Sequence, residues 1–258
     1  LNIKMLVDGY DLVFDHQQSK GNYFYDKLNN VQYLDMFGFF SSLPLSYNHP
    51  KMVNNVTFME NIKNISMYNI ANSDVYTTEM AKFVDTFEKI CMPSEFKYLF
   101  FINGGALAVE NALKTAFDWK IKTEKQKGNI INENDLSILH FEKAFHGRSG
   151  YTMSLTNTSP EKTLSFPKFE WPRVPHPTIN FGCQWNEGYD DSAAIITEEK
   201  TISKIYEFIN SNKYKNTIAG IIIEPIQGEG GDNHITSRFW KKLREICNEN
   251  DILLIADE

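Results

Sequence analysis

Two short, uninterrupted apolar runs constrain this chain more than any other feature: residues 218–223 (IAGIII) and 252–256 (ILLIA). A strand with one wet face alternates apolar and polar residues. A short run that is apolar throughout and rich in β-branched residues fits a strand buried on both faces. Between the two runs lies an amphipathic stretch, 237–250, that reads as a helix. Strand, helix, strand is the parallel crossover unit, and its repetition along the chain makes the fold class α/β with a mostly parallel sheet. Ligands in such sheets gather at the carboxyl ends of the strands. Acids stand at both ends here: Glu224 follows the first run, and Asp257 and Glu258 follow the second.

The rest of the chain fits that scheme. Residues 98–102, 137–140, 218–223 and 252–256 are expected strands. Residues 106–122, 201–211 and 237–250 are expected helices, and a further helix is expected from a Ser73-Asp74 cap to about Cys91. The proline-punctuated stretch 160–177 reads as a long loop. Near the N-terminus, 23–26 and 31–35 flank a Leu28-Asn29-Asn30 turn and suggest a small hairpin. This organisation divides the chain into an N-terminal segment, 1–50, and a large domain, 51–258.

A net charge of −7 argues against a nucleic-acid or anionic-membrane surface. The three cysteines, Cys91, Cys183 and Cys247, are scattered and odd in number, which fits a reducing, cytoplasmic compartment. No CxxC metal spacing occurs, no apolar run is long enough to span a bilayer, and the start shows no signal-peptide core. It also lacks an initiator Met, so a truncated start is expected.

Three glycine-bearing motifs and one terminal acid carry candidate chemistry. Residues 100–102 lead through Asn103-Gly104-Gly105-Ala106 into a helix, whose first N–H groups and dipole favour a phosphate. The same residues also suit a plain strand–turn–helix. The spacing is neither GxGxxG nor GxxxxGK(S/T), which counts against dinucleotide and P-loop sites. The second motif is Phe145-His146-Gly147-Arg148-Ser149-Gly150. It offers a ring that can stack on a planar cofactor and an arginine that can clamp a carboxylate, or else one packed Phe and one solvated Arg. The third, 224–232 (EPIQGEGGD), places Glu224 and Glu229 around a glycine-rich loop, where they could orient a substrate or simply lend solubility. Asp257 could pair with a protonated pyridine nitrogen or cap a helix.

A phosphate cradle, a stacking aromatic, a carboxylate clamp and an acid for a ring nitrogen, in this order, resemble the class III aminotransferases, fold-type I enzymes of pyridoxal 5'-phosphate (PLP). The stretches MLVDGYD, YLDMFGF, NSDVY, FINGGALAVENALKTAFDWK, AFHGRSGYTMSLTNTSP, FPKFEWPR and EPIQGEGGDNH extend the likeness from about Met5 to Glu258. They are similar to the lysine 6-aminotransferase branch. Gly104-Gly105-Ala106 stands where the class shows Ser-Gly-Ser or Ser-Gly-Thr, and Phe145 where Tyr is common. Both departures are those of that branch.

The resemblance implies roles. Gly105 and Ala106 would donate N–H groups to the PLP phosphate, Phe145 would stack on the ring, and Asp257 would pair with the ring nitrogen. Arg148 would hold the α-carboxylate of L-lysine. Glu224 would brace the pocket, and Glu229 would act as a switch between substrates. The implied reaction moves the ε-amino group of lysine to 2-oxoglutarate, giving the 6-semialdehyde and glutamate, in a homodimer. Ornithine or another ω-amino acid is the alternative donor, and a non-catalytic fragment the alternative class. The lysine that would hold PLP and the C-terminal domain are expected beyond residue 258. The chain alone is therefore expected to be inactive.

Overall fold

The computed structural model describes residues 10–40, 42–179 and 191–258. Cys183 and the beginning of MLVDGYD lie outside these residues. The chain falls into two compact units that meet in sequence between Lys97 and Tyr98.

The first unit holds an antiparallel sheet of β1 (Phe14–Lys20), β2 (Tyr23–Asp26) and β3 (Val31–Leu34), followed by helices α1 (Pro50–Val53), α2 (Val56–Ile65) and α3 (Thr78–Ile90). The expected hairpin is β2–β3, with Tyr23 opposite Leu34 and Asp26 opposite Val31. Asp26 holds the turn by accepting from the N–H groups of Leu28 and Asn29. Helix α3 starts later than its expected Ser73-Asp74 cap: Thr77 is the N-cap, its hydroxyl accepting from the Met80 N–H at 3.1 Å. Asp74 instead closes a turn onto the Ala71 carbonyl.

The second unit carries the candidate site. Its elements are α4 (Gly105–Gln126), β4 (Ser137–Phe141), β5 (Arg173–Val174), α5 (Asp191–Ile209), β6 (Ile218–Ile223), β7 (Ile226–Gln227), β8 (Asn233–His234), α6 (Ser237–Glu249) and β9 (Leu253–Ala256). The main sheet runs β5-β4-β6-β9 and every pairing in it is parallel. β7 and β8 form a separate antiparallel pair. All five residues of β4 and all six of β6 are buried.

Helices cover both faces of the main sheet. Val109, Leu113 and Ala116 of α4 pack with Ile138, Ala219 and Ile222. On the other face, Ile205 of α5 and Phe239, Leu243 and Ile246 of α6 pack with Leu139, Ile221 and Ile223. Ile218 shares the second cluster with Ile221 and Ile223, although strict alternation would separate them. The cause is a register shift: Ser137 pairs with Ile218, but Ile138 pairs with Gly220, so β6 holds one extra residue.

Residues 98–102 do not form the expected strand. Tyr98 and Phe100 are 91% and 69% exposed. The run has strand-forming residues, but composition alone does not make a strand, which needs a neighbour paired along its backbone. The loop 160–177 is as expected except for a short 3-10 turn at Pro160–Lys162 and the two residues of β5.

At the amino ends of β6 and β9 the helix α4 carries a buried ion pair. Lys120 Nζ lies 3.2 Å from Glu124 Oε1 and donates to the Asp251 carbonyl at 2.8 Å. Asn129 and Lys127 also donate to Glu124. Removing one partner of such a pair leaves a buried charge uncompensated, whereas the exposed Lys122–Asp118 pair is held in water. Glu124→Ala is therefore expected to lower unfolding free energy by roughly 3 kcal/mol in urea titration, and Asp118→Ala by less than about 1 kcal/mol.

Candidate active site

The four motifs meet at the carboxyl ends of β4, β6 and β9. Glu224 is the junction. It follows β6 and is 9% exposed, so its carboxylate needs partners in place of water. Oε1 accepts from the Phe145 N–H at 2.9 Å, and Oε2 accepts from the Gly228 N–H at 3.2 Å. One buried acid thus ties the loop after β4 to its own glycine-rich loop. Burial raises its pKa above the ordinary carboxylate value, and the two N–H donors and the nearby His146 offset only part of that effect.

Asp257 comes next to this junction because its N–H extends the β6–β9 ladder to the Ile223 carbonyl at 3.0 Å. Its Oδ2 lies 2.7 Å from His146 Nδ1. His146 is fixed in turn: its N–H donates to Thr156 Oγ1, which donates to the Gly147 carbonyl. Gly147 has φ +106°, and a methyl group there would fall 2.5 Å from the Ala106 side chain. Only glycine allows the loop to lie this close to the start of α4.

Helix α4 begins at Gly105 after a Gly104 cap with φ +101° and no capping side chain. The Gly104 carbonyl accepts from Leu107 and Ala108, while Gly105 and Ala106 present the first N–H groups of the helix. Gly105 is exposed and Ala106 half-buried. Glu110, on the next turn, accepts from Ser149 Oγ and from the N–H groups of Tyr151 and Thr152. It anchors the segment that carries Arg148 to the same helix.

Phe145 is half-buried, with Lys162 Nζ 5.6 Å from its ring centre. Lys162 also pairs with Glu229, whose Oε1 accepts from Thr158 Oγ1 at 3.0 Å. The base of the Glu229 loop is anchored: Gln227 donates to the Glu142 carbonyl and Asn233 donates to the Gly230 carbonyl. A methyl group on Gly230 would overlap the Lys143 carbonyl, so this glycine serves close packing. Arg148 is exposed.

The expected residues Gly105, Ala106, Phe145, Glu224 and Asp257 are therefore joined by hydrogen bonds or direct packing of their loops. Glu229 is joined through Lys162. His146, Glu110 and Thr156 have no role expected from local sequence rules. His146 stood inside a motif already singled out. Its partner lies 111 residues away, and no spacing rule reveals that pairing. Among the described residues no group of acids, histidines and cysteines could hold a metal ion, and no helix is long and apolar enough to cross a membrane.

Residues 7–258 match the family model described as Aminotransferase class-III. The chain is 43% identical over 255 residues to the L-lysine-epsilon aminotransferase of Streptomyces clavuligerus, covering 98% of this chain and 54% of that protein. It is 43% identical over 258 residues to the protein of that name from Mycobacterium tuberculosis, covering 56% of it. The human mitochondrial 4-aminobutyrate aminotransferase is 30% identical over 276 residues, with 53% of it covered. The solved structure of lysine aminotransferase from M. tuberculosis in its internal aldimine form superposes with TM-score 0.90 at 42% identity. That match covers 99% of this chain and 57% of that one. The chain thus spans about half the length of the curated relatives it matches.

The raised pKa of Glu224 has a consequence for stability. A carboxyl whose folded pKa is raised binds its proton more tightly in the folded chain, so its contribution falls as pH rises from about 4.5 through the raised value. Relative to Glu224→Gln, the parent is expected to lose stability across that window. Urea midpoints of both proteins from pH 4 to 7 check this; a constant difference contradicts it.

Proposed function

We propose a function that proceeds from one fact: the chain belongs to the class III aminotransferase family. The whole protein that contains it transfers the ε-amino group of L-lysine to 2-oxoglutarate, with PLP as cofactor. The observation that carries this reading is the meeting of the Gly105-Ala106 helix start, Phe145 and Asp257 around the Glu224 junction. The identity above 40% to lysine ε-aminotransferases supports lysine as donor.

The residues fit the cofactor. Gly105 and Ala106 lead a helix whose cap brings no side chain, so their N–H groups can serve a phosphate. Asp257 has one oxygen engaged by His146 and can offer the other to a ring nitrogen. The Phe145 backbone is fixed by Glu224, which sets its ring for stacking. When bound, PLP supplies the electron sink for amino-group transfer, and the protein supplies orientation and charge.

The chain's own residues then divide the remaining work. Arg148 clamps the α-carboxylate of lysine, which leaves the ε-amino group at the reacting end. Glu229 neutralises an arginine suited to the second carboxylate of 2-oxoglutarate while lysine reacts. In this structure Glu229 pairs with Lys162, which supports reading it as able to exchange cationic partners. Moving between the two turns one pocket from a diamino acid to a dicarboxylic acid.

Isotope transfer tests the reading. A protein of the relatives' full length carrying this chain is expected to move nitrogen from ε-labelled lysine, and not from α-labelled lysine, into glutamate. Labelled glutamate from the α-labelled donor, or turnover of ornithine exceeding that of lysine, contradicts it. In the same protein Arg148→Ala is expected to lower kcat/KM for lysine by about thirtyfold, roughly 2 kcal/mol, relative to cadaverine, which has no carboxylate. Equal losses for both amines make Arg148 a structural residue.

A further inference from the structure

We propose that Lys162 is the positioning residue for Glu229: it competes for that carboxylate with the arginine of the pocket and so biases the pocket toward dicarboxylic acids and away from lysine. The proposal rests on the reading of Glu229 as the group that neutralises an arginine while lysine reacts.

The backbone on either side of Glu229 is held. The Gly228 N–H donates to Glu224 Oε2 at 3.2 Å. The Gly230 carbonyl accepts from Asn233 at 3.0 Å, and Gly230 lies so close to the Lys143 carbonyl that a methyl group would overlap it. A residue pinned at both neighbours changes partner by rotating about its side-chain bonds. The group that holds its carboxylate now therefore competes with any other that the same carboxylate serves.

Lys162 is placed to be that competitor. Its Nζ pairs with Glu229 Oε1, the same oxygen that accepts from Thr158 Oγ1 at 3.0 Å. The segment that carries both is anchored at the end of β4: Asn157 accepts from the Lys143 N–H and donates to the Phe141 carbonyl. Lys162 itself closes the 3-10 turn Pro160–Lys162, and the next residue, Thr163, is buried. The pair is also built to release. The two side chains are 34% and 36% exposed, so water weakens their attraction and the pair biases Glu229 without locking it. The ammonium lies 5.6 Å from the centre of the Phe145 ring, so it keeps a favourable contact when the acid leaves.

Two measurements test this. The first needs no cofactor. NMR of the 258-residue chain is expected to show a through-hydrogen-bond coupling between the Lys162 ammonium nitrogen and the Glu229 carboxylate carbon. Both signals present without the coupling overturns the proposal. The second uses the PLP-loaded protein of the relatives' full length and compares lysine with glutamate as amino donor in single turnovers. Lys162→Met keeps the length of the side chain and removes its charge. It is expected to raise the ratio of lysine rate to glutamate rate about threefold, and Lys162→Arg to keep the parent ratio. General damage to packing would lower both rates together, and that outcome overturns the proposal. In a Glu229→Gln background Lys162→Met is expected to leave the ratio unchanged. A persisting rise would mean that Lys162 acts on the substrate directly, which also overturns the proposal. Glu229→Gln alone separates the two ideas, since it is expected to lower the ratio. If it does and Lys162→Met has no effect, the Lys162 proposal fails while the reading of Glu229 stands. If it leaves the ratio unchanged, the reading of Glu229 fails and the proposal falls with it.

Discussion

A buried carboxylate that must be hydrogen-bonded is the constraint from which the site follows. Glu224 stands at the end of a strand with no polar residue of its own, so water cannot supply its partners. It takes them from Phe145 and Gly228, and in doing so fixes both loops against the sheet. The ladder between β6 and β9 then places Asp257 beside it, and His146 completes the link back to the Phe145 loop. Each motif is flexible by composition. Together they are held by a few bonds to charged groups, each worth more than a neutral one.

The two ends of the sheet use charge differently. At the amino ends, Lys120, Glu124, Lys127 and Asp251 satisfy one another in an arrangement that sums to zero charge. At the carboxyl ends, burial raises the pKa of Glu224 and the nearby Asp257 adds to the effect, and the described residues meet only part of the hydrogen-bonding capacity of the two acids. Helix α4 spans both. Its last turns carry the closed network, and its first turn offers the N–H groups of Gly105 and Ala106. A closed charge network and the candidate site are thus built on one helix, the latter where ligands gather at the carboxyl ends of strands.

Much of this was legible in the sequence. The run that became β6 could be read because a strand buried on both faces has no polar residue to hide, while β9 forms as expected but is half-buried to exposed rather than buried on both faces. The hairpin β2–β3, the helices α4 and α6 and the acids after the strands followed from local rules. What escaped depends on partners distant in sequence. Residues 98–102 have the composition of a strand but do not form one. The extra residue in β6 shows only in its register with β4. The cap of α3 moved from Ser73-Asp74 to Thr77 because several residues there can cap a helix. His146 escaped because a histidine inside a glycine motif shows neither its burial nor its partner.

The most direct measurement is a crystal structure of a protein of the relatives' full length with PLP bound. The account predicts phosphate oxygens accepting from the Gly105 and Ala106 N–H groups. It also predicts the ring nitrogen within hydrogen-bond distance of Asp257, with His146 still on the other oxygen. A phosphate held elsewhere, or a ring nitrogen facing a group other than Asp257, would contradict it.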